Sequence, residues 1–391
     1  MSIKVLYTSN SASLGGMENH LLDLIKGLAQ RDYEIIIFCP PGEMVKKYQN
    51  SGAKVIIDYP RLDFDLGYIV RVYKFLKEEK IHIFHAHQLK TVINGLIAAK
   101  FAQTPVKVAH IHSPLINWQI TRIKKCFNII INAVVTNLCA DVVLALSAAT
   151  KRERINGEHI SSSRIKVIPN GIDIEKFKVS AKGGSASGGK KEKLKVKEDF
   201  LEKYKIPKDK VVIGTLSRLT EEKGVDVLIE AVAKIPKEKR ESLFFVIAGD
   251  GPLKSGLENL VSRLKVRDKV QFLGFIGEEE KVNFYTSLDI FIFPTLHEGF
   301  GLVLGEAMAM GIPTISSDLP TLKEITGSGE SGIHFKRADS HDLAIKVVNL
   351  TEAKDTWERV SIIARDRIVR DYSLDKFIDN YDKFYKEALK P

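Results

Sequence analysis

The stretch Asp289-Ile-Phe-Ile-Phe-Pro-Thr-Leu-His-Glu-Gly-Phe-Gly-Leu-Val-Leu-Gly-Glu306 decides how the chain is read. Its first part, Asp289 to Thr295, is a short apolar run closed by proline, the pattern of a strand buried on both faces. Its second part opens a helix, placed by the sequence over residues 301–311. A strand passing at once into a helix is the building unit of a covered parallel sheet. Glu298 stands at the strand exit and Glu306 on the helix, with seven residues between them. Carboxylates so placed reach two parts of one polar ligand. Gly299 and Gly301 bare backbone amides at the helix N-terminus, a site for anions or hydroxyls. Upstream, Arg218 and Lys223 follow another apolar run, Val211 to Leu216. Two cations, two carboxylates and an open helix N-terminus describe a pocket for a phosphorylated sugar.

The same alternation extends outward in both directions. Strands are predicted at 3–8, 34–39, 82–87 and 106–112, with helices at 17–30, 66–79 and 89–101 between them. The pattern restarts after residue 210, with strands at 211–216, 243–248, 269–273, 289–294 and 314–317. Two doubly wound α/β domains follow. Pro169-Asn170-Gly171 is a turn signal at their seam. Beyond it, Lys182-Gly-Gly-Ser-Ala-Ser-Gly-Gly-Lys-Lys191 has the composition of a flexible basic loop. Residues 373–389 read as an amphipathic helix.

Composition narrows the function classes. The chain has 391 residues, 44% hydrophobic and 28% charged, the balance of a soluble globular protein. The N-terminus reads as a first strand rather than a signal peptide. The longest apolar stretch, residues 127–146, is interrupted by Asn128, Asn132, Asn137 and Asp141, so no span is expected. Three cysteines without paired or metal spacing point to reduced thiols and a cytoplasmic setting. The formal charge of +10 favours anionic partners. No zinc-finger or RNA-recognition signature is present, so nucleic acid is not expected as a partner.

Six motifs occur in order along the chain. They are Gly15-Gly16, Pro169-Asn-Gly-Ile-Asp173, Ser217-Arg-Leu219 with Glu222-Lys-Gly224, Gly249-Asp-Gly-Pro252, Val270-Gln-Phe-Leu-Gly274, and Glu298 through Glu306. Their order and intervals resemble those of the family 4 retaining glycosyltransferases of GT-B architecture, over nearly the whole chain. The resemblance implies two Rossmann-like domains with an active-site cleft between them. It implies an acceptor-binding domain at 1–170, a linker with the Gly/Ser loop at 171–210, and a nucleotide-sugar domain at 211–372. The last helix, 373–391, would pack back on the first domain.

The resemblance also assigns roles. Arg218 and Lys223 would stabilise the departing nucleoside diphosphate, and no metal or other cofactor would be needed. Glu306 would accept hydrogen bonds from the ribose, and Glu298 would contact the donor sugar. The amides of Phe300, Gly301 and Leu302 would face sugar and phosphate, and the backbone around Phe275 and Ile276 would face the base. Gly15 and Gly16 would let the backbone approach the diphosphate. A sugar-contacting histidine matches His112, or His110 if the register is displaced by two. The expected function is retaining transfer of a sugar, UDP-linked, to a glycan or lipid-linked acceptor of cell-surface polysaccharide or lipopolysaccharide. A nucleotide-sugar epimerase or phosphorylase of the same fold, and a catalytically silent sugar-binding subunit, are the alternatives.

Two features stand outside those motifs. The pairs His85/His87 and His110/His112 alternate along strands, so each pair shares a face. Four histidines hint at zinc, but no nearby Asp, Glu or Cys completes a ligand set, and hydrogen-bonded structural histidines are the commoner case. Residues 115–135 combine Arg122, Lys124 and Lys125 with Trp118, Phe127, Ile116, Ile120 and Ile123. With Arg71, Lys74 and Lys77, they form either a face for peripheral contact with an anionic membrane or an ordinary solvated helix surface.

Overall fold

The computed structural model describes residues 2–118, 120–177 and 186–390. The chain divides into two compact units, Met1–Gly171 with Leu374–Pro391, and Ile172–Ser373. The first unit holds strands β1 (Ile3–Thr8), β2 (Tyr33–Cys39), β3 (Lys54–Ile57), β4 (Ile83–His87), β5 (Val106–His110), β6 (Val142–Ala145) and β7 (Ile165–Val167). They form one parallel sheet in the order β3-β2-β1-β4-β5-β6-β7. The second unit holds β8 (Val211–Leu216), β9 (Leu243–Ala248), β10 (Val270–Gly274), β11 (Ile290–Phe293), β12 (Thr314–Ser317) and β13 (Ile333–Phe335). These too are all parallel, in the order β10-β9-β8-β11-β12-β13. Each is a Rossmann-like layer of strands between helices.

Central strands β1, β4, β8 and β11 are buried almost throughout, because helices cover both faces of each sheet. Leu6, Phe84 and Ala86 pack to one side of the first sheet; Val5, Tyr7 and Ile83 pack to the other. Helix Leu374–Ala388 belongs to that second side. Its Phe377, Ile378, Tyr381, Phe384 and Tyr385 recur at helical spacing and are all buried there. Five such side chains contribute on the order of 7–15 kcal/mol gross, enough to fix this distant segment to the first unit.

Three expectations change. The strand expected to reach residue 112 ends at His110, leaving His112 in the segment beyond. Strands β3, β6, β7 and β13 were not recognised in the sequence; each has only three or four residues. The tract expected as a flexible loop is partly helical: residues 186–203 form helix Ala186–Lys203. Lys- and Glu-rich sequence favours helix strongly enough to outweigh two glycines at about 1 kcal/mol each. Phe200 and Leu201 anchor its end at 3% exposure. The first residues of that tract, 182–185, lie outside the described residues.

Candidate active site

Both sheets reverse their winding order beside their first strand. In the second unit, β9 and β10 build to one side of β8, and the chain then crosses to β11 on the other. Ligands of open parallel sheets gather at such a switch, beyond the carboxyl ends of the strands. The segments leaving β8 and β11 carry Arg218 and Lys223, and Glu298 to Leu302, respectively. The fold therefore brings the residues of the quoted stretch to the place where Arg218 and Lys223 emerge.

Backbone hydrogen bonds stitch these loops together. Leu296 N and the Thr295 hydroxyl donate to Glu222 O at 2.8 and 2.9 Å. Leu219 N donates to Asp250 O, and Gly249 N to Gly274 O. Gly249 has φ +127°, and a Cβ there would lie 1.8 Å from Ser217 O. The glycine of Gly249-Asp-Gly-Pro252 thus lets two site loops touch through bare backbone.

Lys223 Nζ contacts Glu298 Oε2 at 2.9 Å, with the two side chains 20% and 18% exposed. The ammonium also lies 5.9 Å from the Phe293 ring centroid. The other Glu298 oxygen accepts from Gly299 N at 3.1 Å. Arg218 is exposed, and among the described residues its guanidinium has no hydrogen-bond or ion-pair partner. Gly301, with φ +98°, caps helix Leu302–Ala309, two residues shorter at its C-terminal end than expected. Among the described residues, the amides of Phe300, Gly301 and Leu302 have no acceptor. Phe275 is 66% exposed, whereas Ile276 is buried at 3%.

Glu306 is buried on the same helix, and its carboxylate is engaged from one side. Tyr285 OH donates to Oε2 at 2.8 Å, and Lys281 Nζ lies 3.1 Å from Oε1. Lys281 also pairs with Glu278 at 2.7 Å, and Glu278 with Lys176 at 2.6 Å. Burial opposes the Lys281 charge, yet Glu306 and Glu278 together raise its pKa above the ordinary 10.5. Burial likewise raises Glu278, but the two ammoniums outweigh it and hold the carboxyl below the usual glutamate value. Desolvation, with Glu306 adding to it, pushes the Tyr285 hydroxyl well up. Sequence reasoning missed this network, although Lys281 and Tyr285 stand four apart on helix Lys281–Ser287 and so share a face.

The first unit has its own switch between β1 and β4. Gly15 caps helix Gly16–Leu28, whose first residue is Gly16. Across the switch, Gln88 holds φ +71° at the exit of β4, and its Oε1 accepts from Asn10 N at 2.7 Å. A non-glycine residue at such a φ stores strain of about 1–3 kcal/mol. His112 lies just past β5, partly exposed, with Nε2 3.0 Å from His87 Nδ1. His110 is fully buried in the strand. The structure thus places Gly15, Gly16 and His112 in the first unit, and all the other expected site residues in the second.

A family model for the group 1 glycosyl transferases matches residues 196–367, and one for glycosyltransferase family 4 matches residues 14–176. The chain is a family 4 glycosyltransferase. An uncharacterized glycosyltransferase of Methanocaldococcus jannaschii is 27% identical to it over 96% of this chain and 95% of that one. The UDP-Gal:alpha-D-GlcNAc-diphosphoundecaprenol alpha-1,3-galactosyltransferase of Escherichia coli is 24% identical, over 99% and 97%. Among solved structures, Anabaena HepE in complex with UDP and glucose superposes with a TM-score of 0.83, at 21% identity, covering 98% of this chain and all of that one. That likeness establishes the GT-B fold for this glycosyltransferase.

Helix Arg122–Cys139 turns both polar and apolar side chains inward: Val135 is buried, and Ile129 and Ile131 pack against the core. Asn128, Asn132 and Thr136 are buried, and Asn132 and Thr136 bond to each other at 3.1 Å. Ile123, Phe127, Ile130, Val134 and Leu138, spaced by three and four, are 52–87% exposed. Arg122 and Lys124 are exposed beside them, while Lys125 donates to Ile116 O. Among the described residues, no helix is long and apolar enough to cross a membrane.

Proposed function

We propose that this glycosyltransferase transfers a sugar from a UDP-linked donor to a glycan or lipid-linked acceptor, with retention of anomeric configuration and without a metal. The observation that carries the reading is the cluster at the β8–β11 switch: Arg218, the Lys223–Glu298 pair and the unclaimed amides of Phe300 to Leu302. A leaving diphosphate needs positive potential as its bond to the sugar breaks. Two cations and a helix N-terminus supply it, so a divalent ion is redundant. Glu306, with its Lys281 and Tyr285 partners on one side, offers its remaining lone pairs to the ribose. Phe275 and Ile276 present backbone to the base, and Glu298 and His112 contact the donor sugar. The departing phosphate takes the acceptor proton on the face it leaves, and no enzyme nucleophile is required.

The E. coli relative acts, by its name, on a diphosphoundecaprenol-linked acceptor and a UDP-sugar. A comparable acceptor, in assembly of cell-surface polysaccharide or lipopolysaccharide, suits the outward apolar stripe of helix Arg122–Cys139. Exposed aliphatic side chains flanked by Arg122 and Lys124 have the composition of a surface that docks on anionic lipid. That would bring the first unit, which we assign to the acceptor, to the inner face of the cell membrane. The test is proton NMR of the product formed from α-linked UDP-sugars in EDTA-containing buffer. An α-linked product formed at full rate supports the reading. Strict dependence on magnesium or manganese, or a β-linked product, overturns it.

A further inference from the structure

The first unit gathers five histidines, of which the reading above uses one. His20 comes from helix Gly16–Leu28, His85 and His87 from β4, His110 from β5, and His112 from the segment beyond. Ring centroids of His110 and His112 lie 4.1 Å apart, those of His20 and His112 4.7 Å, and those of His87 and His112 5.3 Å. His20, His87 and His110 are buried at 3%, 0% and 0% exposure. Burial leaves the Nε2 atoms of His87 and His110 with no partner among the described residues. A buried ring nitrogen that bonds to nothing forfeits its hydration without return. One nitrogen from each of His20, His87, His110 and His112 can be chosen so that all four lie within 4.8 Å of one another.

We propose that His20, His87, His110 and His112 form a binding site for one zinc ion. Four neutral imidazoles with no carboxylate among them suit a borderline transition metal and not calcium or magnesium. A tetrahedral zinc–imidazole site sets neighbouring nitrogens about 3.4 Å apart, from bonds of about 2.0–2.1 Å. The His87 and His112 rings already meet at 3.0 Å through Nδ1 and Nε2, a hydrogen bond that gives way when zinc takes His112 Nε2 and the partnerless Nε2 of His87. The widest separation in the set, at most 4.8 Å, has to close by up to about 1.4 Å on binding. An outer partner is in place. His20 Nδ1 lies 2.7 Å from Asn170 Oδ1, so Nδ1 carries the hydrogen and Nε2 offers its lone pair. Tyr381 OH stands 3.5 Å from His20 Nε2, a contact long enough to yield to a metal bond, and 3.5 Å from His110 Nδ1, where it can remain as an outer partner while Nε2 ligates. His112, partly exposed, provides the way in; ligating through Nε2, it leaves Nδ1 for the donor sugar assigned to it above. Three of the four stand out in the sequence as strand histidines that hint at zinc without completing a ligand set; His20, on a helix far from both pairs and with no spacing signature, is the ligand the sequence does not show.

The test uses the full chain, purified without metal-affinity resin and dialysed against EDTA. Zinc is then measured by equilibrium dialysis, and cobalt by visible absorption. Wild type is expected to take up one equivalent of zinc, to gain in Tm with zinc, and to give the intense visible bands of tetrahedral cobalt. His20→Ala and His110→Ala are each expected to abolish those bands, and Asn170→Ala to weaken zinc binding about 10- to 100-fold. Far-UV circular dichroism and the thermal melt of each variant report that it is folded. If His110→Ala fails to fold, His20→Ala and the wild-type cobalt spectrum decide. Substoichiometric uptake, an octahedral cobalt spectrum, or binding unchanged in folded His20→Ala overturns the proposal; the last would assign the ion to surface groups such as the exposed Cys126.

Discussion

Replacing Glu306 separates donor recognition from stability, because its carboxylate is placed to do both. Two of its roughly four acceptor directions are taken by Lys281 and Tyr285. The remaining two are assigned here to the ribose hydroxyls. A hydrogen bond to a charged acceptor contributes about 1.5–3 kcal/mol. Glu306→Ala should therefore raise the Kd for UDP about 10- to 150-fold. The same change leaves the buried Tyr285 hydroxyl only its longer bond to Val303 O at 3.3 Å, while Lys281 keeps Glu278. A stability loss of about 1 kcal/mol follows. Glu306→Gln keeps an acceptor for Tyr285 but loses the charge, and should fall between wild type and alanine on both scales. Isothermal titration with UDP and with uridine, well below Tm, provides the assay. The fold-loss should be similar for the two ligands, because the ribose contact does not involve phosphate. UDP affinity within two-fold of wild type in folded Glu306→Ala would refute the ribose assignment. A loss seen with UDP and not with uridine would move the role of Glu306 to the phosphates.

Three further outcomes are expected. Gly249→Ala forces a Cβ to within 1.8 Å of Ser217 O at φ +127°, so the β8 and β9 loops must part; calorimetry should show a Tm fall of roughly 5–15 °C, from about 2–4 kcal/mol in a unit of this size. Glu278 has a folded pKa depressed below the ordinary 4.5, so its contribution is present above pH 4.5 and is lost as pH falls through the folded value. Glu278→Gln should lower stability in urea at neutral pH and flatten its decline below pH 4.5; an unchanged acid limb would contradict the pairing. Wild type should sediment with anionic vesicles at low salt, and Ile123→Glu/Phe127→Glu should not, since both side chains face solvent. If wild type stays in the supernatant, the membrane contact is wrong.

The sequence shows most of what periodicity controls. Buried runs such as 211–216 and 243–248 appear as strands to the residue, since each is a short apolar run bounded by turn residues. Three-residue strands such as Ile165–Val167 are too short to produce a pattern. Gly/Ser content hid the helix beginning at Ala186, whose identity rests on the later Lys/Glu run and on Phe200. At the site, Glu298, Lys223 and Gly301 are legible because motif and chain neighbourhood coincide. Lys281 and Tyr285 are not, since their partner Glu306 lies on another helix and only the fold brings them within 3.1 Å. The outward apolar stripe of helix Arg122–Cys139 was half visible: its apolar residues stand out in the sequence, but only burial shows that Asn128 and Asn132 face inward beside Val135 while Phe127 and Ile130 face out.

The resting state of the second unit explains which charge matters most there. Lys223 and Glu298 neutralise each other at 2.9 Å, and a pair about one-fifth exposed is worth only about 0–1 kcal/mol. Its value is therefore not stability. Parting the pair costs little, so on the proposed reading a donor would draw the ammonium to its phosphate and the carboxylate to its sugar hydroxyls in one rearrangement. Until then the pair keeps both groups desolvated, close and aimed, which is the preorganisation that lowers a barrier. Arg218, without a carboxylate partner among the described residues, is the cation whose charge is uncompensated before the donor arrives. On the proposed reading Arg218 would draw the diphosphate in, and Lys223 would be released to meet charge as the bond to the sugar breaks.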